Sequence, residues 1–125
     1  MAKKQLSFKV LGVKATQAYL KAKDGQAGSL IKKAMTQATL FLEGEVKGSI
    51  AGRKAEPRSV DTGRFMGSVT SKSSSTQGVV SSDVKYSPVL EYGGAGRTGR
   101  KHFRNSLSRN QGKIKEYFKD KLRTL

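Results

Sequence analysis

From Leu30 the apolar residues recur at helical spacing, at Ile31, Ala34/Met35, Ala38, Phe41/Leu42, Val46 and Ile50. Steps of three and four put them in one stripe on a helix of about five turns that ends near Gly52. Met35 and Phe41 on that stripe are expected in the core. Ser29 or Asp24 is placed to start the helix. Gly44 and Gly48 interrupt it, each at a cost of about 1 kcal/mol relative to alanine. Close approach by another backbone, within the fold or from a neighbouring subunit, would compensate for them.

The flanking segments read as shorter elements. Leu6–Val10 alternates apolar and polar residues and suits a half-buried strand. After Gly12, Val13, Ala18, Tyr19 and Ala22 lie loosely on one side of a helix that Asp24-Gly25 breaks. Arg53–Val60 is a polar basic loop containing Pro57. Asp61, Thr62 and Gly63 form a structural turn in which Gly63 supplies a backbone conformation denied to other residues. Phe65–Lys72 is expected as a strand, Ser73–Ser75 as a hairpin tip and Thr76–Asp83 as the returning strand. Ser87-Pro88 opens a short helical turn. A flexible glycine and arginine loop follows at about 93–104. Asn105–Leu122 then forms a basic amphipathic helix with Leu107, Ile114, Tyr117/Phe118 and Leu122 on one face. The whole chain, 1–125, reads as one domain.

Charge narrows the partners. Twenty-five lysines and arginines face nine acidic residues, a net charge of +16, which calls for a polyanion such as nucleic acid or an acidic protein. Arg53, Lys54, Arg58, Arg97, Arg100, Lys101 and Arg104 are the candidate contacts to a partner or to DNA. No helix-turn-helix, zinc-finger or basic-zipper layout surrounds them, so contacts to DNA are expected at the backbone and without sequence preference.

The inventory for chemistry is thin. There is no cysteine and a single histidine, His102, set in a basic run that lowers its basicity; it is expected to pack or to hydrogen-bond. The carboxylates are scattered, and Glu43 and Glu45, two apart on a helix, do not face each other. GGAGRTGR matches neither phosphate-loop nor dinucleotide pattern. No catalytic residue, cofactor or metal ligand is therefore assigned. No run approaches the roughly 18 apolar residues of a membrane span, and a soluble intracellular product is expected.

Three segments in order carry a family resemblance. P-R-S-V-D-T-G-R (residues 57–64), V-K-Y-S-P-V-L-E-Y-G (84–93) and His102-Phe103-Arg104 followed by Leu107 resemble the neck, or tail-completion, proteins of long-tailed bacteriophages. The resemblance spans nearly the whole chain. It implies an α+β fold, with a long helix packed on a small antiparallel sheet and a basic C-terminal helix. It further implies a structural virion protein: a ring of six copies at the head-tail junction, around the DNA channel. Its neighbours would be the capsid connector and the tail-terminator or tail-tube proteins, and it would form in the host cytoplasm during assembly. In that setting Tyr86, Pro88, Glu91 and Tyr92 anchor the loop. A freestanding, unspecific nucleic-acid-binding protein is the alternative.

Overall fold

A single long helix, α1 (Gly25–Ile50), packs against two strands of the main sheet and against both C-terminal helical segments. The computed structural model describes residues 6–9, 25–59, 63–74, 77–94 and 96–123. Asp24, Asp61, Thr62 and the expected helix after Gly12 lie outside them. The apolar stripe is the buried side of α1: Ile31, Ala34, Met35, Ala38, Leu42, Val46 and Ile50 are all inaccessible, while Phe41 sits half-buried at its margin. The helix is longer than its stripe and begins at Gly25, ahead of Ser29.

One side of α1 rests on a three-stranded antiparallel sheet built from β1 (Leu6–Lys9), β2 (Thr70–Ser73) and β3 (Gly78–Ser82). β3 is central, pairing Phe8 with Val80 on one flank and Ser71 with Val80 on the other. Polar bonds tie helix to sheet: Ser71 Oγ donates to Glu43 Oε1 at 2.6 Å, and the Thr36 and Ser73 hydroxyls meet at 3.1 Å. The fold is α+β, as the sequence led us to expect.

The segment read as a strand over Phe65–Lys72 divides in two. Arg64–Ser68 is a short helix, α2, and only Thr70–Ser73 is extended. Phe65 and Val69 are both buried, and a separation of four puts them on one side of a helical turn just as it would on an alternating strand, so the pattern alone did not tell the two apart. Ser68 Oγ closes the turn on Phe65 O at 2.6 Å. Ser73 belongs to β2 rather than to the hairpin tip, which Ser74 N closes on Gln77 O at 2.8 Å. Gly63 precedes α2 with φ 81° and ψ −1°, the left-handed conformation expected of it.

The C-terminal helix is also two helices. α3 (Ser87–Tyr92) leads into a small ribbon of β4 (Gly93–Gly94) and β5 (Arg97–Thr98), followed by α4 (His102–Arg109) and α5 (Gln111–Leu122). Asn110, at φ −108° and ψ 14°, breaks α4 from α5. Its side-chain amide and its backbone N–H both bond Ser106 O, at 2.8 and 3.2 Å, so α4 ends on Asn110 rather than running on. Phe103, Ile114 and Phe118 close the core over the opposite side of α1. Among the described residues Gly44 has no atom within 4 Å of where a Cβ would lie and Gly48 meets only the Lys54 side chain, so no described backbone outside the helix crowds either glycine.

Candidate functional site

The basic residues singled out from the sequence come from two segments far apart in the chain, 53–58 and 97–104, and buried polar groups join those segments. His102 is the hub, inaccessible to solvent at 0% exposure. Ser49 Oγ on α1 donates to Glu56 Oε1 at 2.5 Å. With its hydrogen spent, Ser49 accepts from His102 Nδ1–H at 2.7 Å. Nε2 is then the acceptor nitrogen and takes a hydrogen bond from Ser59 Oγ at 2.7 Å. Ser59 Oγ in turn accepts from Arg100 Nη1 at 2.8 Å, and the same nitrogen donates to Arg58 O at 2.7 Å. The chain of donors thus runs from Arg100 through Ser59, His102 and Ser49 to Glu56.

Glu56 is the electrical end of this chain. It is 6% exposed and accepts from Arg109 at 3.0 and 3.1 Å and from Asn105 at 3.1 Å, in addition to Ser49. Burial alone would raise its pKa, but the hydrogen bonds from Arg109, Ser49 and Asn105 and the charge of Arg109 prevail and bring it down to about 2. Burial pushes His102 down to about 4, with Arg100 adding to the fall and Glu56 opposing it. The low basicity expected from the basic run is present, but its main cause is desolvation. Ser59 and His102 have the connectivity of a nucleophile and its base. The electrostatics are those of a neutral relay, because Glu56 is committed to Arg109 and an imidazolium at His102 would be buried beside Arg100.

A second buried carboxylate sets the entry to α4. Lys101 precedes the helix in the left-handed region, at φ 54° and ψ 41°, and its side chain makes no capping bond. Glu91, 0% exposed on α3, caps in its place: Phe103 N donates to Oε1 at 2.9 Å and Arg104 N to Oε2 at 2.8 Å. Burial raises the Glu91 pKa and these two amides pull it partly back. The backbone below the ribbon is closed as well, with Arg100 N bonded to Leu90 O at 2.7 Å and Lys101 N to Glu91 O at 3.1 Å. Gly99 allows that closure, since a Cβ there would lie 2.5 Å from Glu91 O and 2.5 Å from Tyr92 C.

Of the residues expected to anchor the loop, Glu91 does so, from the helix α3. Tyr86 and Tyr92 flank it as exposed residues, at 43% and 58% exposure, and the Tyr86 ring meets Phe65 at 6.0 Å between centroids. Pro88 stands in the first turn of α3. The loop expected over about 93–104 stops short of 104, because His102–Arg104 is already helical. Arg97 lies in β5 and Arg100 on the relay, while Lys101 and Arg104 are exposed beside Glu91. Arg53, Lys54 and Arg58 are exposed on the facing segment, where Lys54 Nζ reaches Glu45 at 3.2 Å.

Ser49, Glu56, Ser59 and Asn105 escaped the sequence reading. One signal for Glu56 was present: it is the lone acid in the basic run RKAEPRSV. Comparison with protein-family models, with curated proteins and with solved structures finds no match to this chain. Among the described residues no helix is long and apolar enough to cross a membrane, and no cluster of histidine and carboxylate groups could hold a metal ion.

Proposed function

We propose that the protein is a structural subunit of the head-tail junction of a long-tailed bacteriophage, one of a ring of copies that joins the capsid connector to the tail around the DNA channel. The observation that carries this reading is the order of its parts. A long helix packed on a small antiparallel sheet, the turn at Gly63 and the Glu91-Tyr92-Gly93 segment stand in the order the resemblance implies, and where it implies one basic C-terminal helix the chain has two in succession.

The surface supports an assembling subunit. Tyr86, Val89 and Tyr92, three residues apart in turn, expose one apolar face around α3. Glu43, Glu45, Glu56, Glu91, Glu116 and Asp120 are all engaged by groups of their own chain. Among the described residues the exposed carboxylates are Asp83, Glu116 and Asp120, few against the many cations, and the apolar face of α3 is the better seat for a neighbouring copy. The carboxylates of connector and tail proteins, or DNA, offset the remaining positive charge.

The test is the composition of purified particles. Quantitative mass spectrometry should find the protein at a fixed copy number, a multiple of the ring size, and particles lacking it should accumulate as separate heads and tails. Its absence from particles, with the free protein bound to nucleic acid in the cell, would replace this reading by the freestanding binder.

A further inference from the structure

We infer that the face formed by the α1–α2 loop and the start of α4 is a binding site for the sugar-phosphate backbone of duplex DNA, read without regard to sequence. Arg53, Lys54 and Arg58 lie exposed on the first segment, and Lys101 and Arg104 on the second. Arg100 bonds directly across to Arg58 O and Ser59 Oγ, and Asn105 and Arg109 reach back to Glu56. These cations therefore stand on one scaffold. The buried relay through His102 holds that scaffold without adding exposed negative charge, because Glu56 and Glu91 are inaccessible.

Two observations favour a phosphate backbone over an acidic protein. The first is the scarcity of apolar anchors: the large exposed apolar side chains among the described residues are Leu40, Tyr86, Val89 and Tyr92, none of which lies on either segment, although Val89 shares a cavity with Arg100. A protein partner of useful affinity buries such an anchor at the centre of its contact, whereas a nucleic-acid backbone asks mainly for cations and hydrogen-bond donors. The second is that the local donors are already in use. The amides of Phe103 and Arg104 are capped by Glu91, so the anion is met by side chains reaching outward and not by the helix terminus. Long side chains on a fixed base suit a regular array of phosphates and carry no base readout.

The inference does not depend on the virion reading, since a freestanding nucleic-acid binder would use the same face. It is tested on the isolated full-length chain by fluorescence anisotropy with a labelled 20-base-pair duplex (length chosen for the assay, about two turns) over a range of salt. The variant R53Q/R58Q/R104Q removes three cations of the face, and K32Q/K33Q/K115Q removes three exposed lysines elsewhere, for the same change in net charge. Thermal melting of both variants checks folding.

The face variant should bind at least tenfold more weakly and lose about 2 to 3 from the slope of log affinity against log salt, close to 0.9 for each phosphate contact removed. The control should lose well under half as much. Two duplexes of unrelated sequence should bind alike, and polyglutamate of matched charge should compete poorly. Equal losses in both variants would overturn the inference in favour of diffuse charge. Equal competition by polyglutamate would assign the face to an acidic protein. If the duplex test fails while the protein is still found in particles at fixed copy number, only the DNA assignment falls.

Discussion

Replacing Glu56 by glutamine tests the relay at its charged end. The carboxylate is buried and its pKa is brought down to about 2 from the ordinary 4.5. That difference corresponds to about 3 kcal/mol of stability at neutral pH. Because the folded pKa is the lower one, this contribution is present in full above pH 4.5 and is lost as pH falls towards 2. Glutamine retains one acceptor for Ser49 but turns an amide donor towards Arg109 or Asn105 and abolishes the ion pair. The expected loss at pH 7 is about 2–3 kcal/mol, which in a domain of this size lowers the melting temperature by about 10 °C.

The assay is urea denaturation of wild type and Glu56→Gln at half-unit steps from pH 7 to pH 3. His102 adds its own signature in both proteins, because its folded pKa of about 4 lies below the ordinary 6.5. Its contribution is full above 6.5 and falls away towards pH 4. Glu56 supports protonation of His102, so in the variant that fall is larger. The gap between the two proteins should first widen slightly on acidification from pH 6.5 and then close below 4.5, with more than half of it gone by pH 3. A gap that stayed constant across the range would refute the assignment of Glu56 as a buried, ionised partner of Arg109.

Three further outcomes are expected. Gly63→Val places a β-branched residue at φ 81° and should cost about 1–3 kcal/mol, read as a lower urea midpoint with an unchanged slope. Gly99→Ala drives a methyl into the backbone of Glu91 and Tyr92 and should cost about 1–3 kcal/mol, whereas Gly112→Ala, which has open space, should be neutral or stabilising by circular dichroism melts. Limited trypsin digestion followed by mass spectrometry should show slow cleavage after Arg100 and Lys101, whose amides are bonded to Leu90 and Glu91; a first cut at either bond would mean that the base of the ribbon opens readily.

What could be read in the sequence was what depends on near neighbours. The α1 stripe was legible because each step along it is three or four residues, and burial followed that spacing at every member except Phe41, which is half-buried. Gly63 was legible because its turn is local. Phe65 and Val69 were misassigned because a separation of four fits a helical turn and also two steps of an alternating strand. The division at Asn110 turns on one side chain bonding Ser106 O, which no periodicity announces. Glu91 acts on amides 12 and 13 residues away and Glu56 on side chains up to 53 residues away, so their roles required the fold. The basic residues could be named from composition, but their sharing of a scaffold rests on a histidine and two serines that carry no charge pattern.

The closure of the chain beneath the ribbon has a practical side. Leu90 and Glu91 already hold Arg100 and Lys101, so the residues between are a spur whose ends are fixed to each other. Lengthening such a spur costs little, about 0.6 kcal/mol for each doubling of its length, since its closure is made at the base. Gly94 has open space around it on the side a Cβ would take. A short peptide inserted after Gly94 is therefore expected to leave the melting temperature within a few degrees of wild type. That position offers a handle for a fluorophore or an affinity tag close to the basic face, and a permanent mark by which the orientation of each copy in an assembly can be seen.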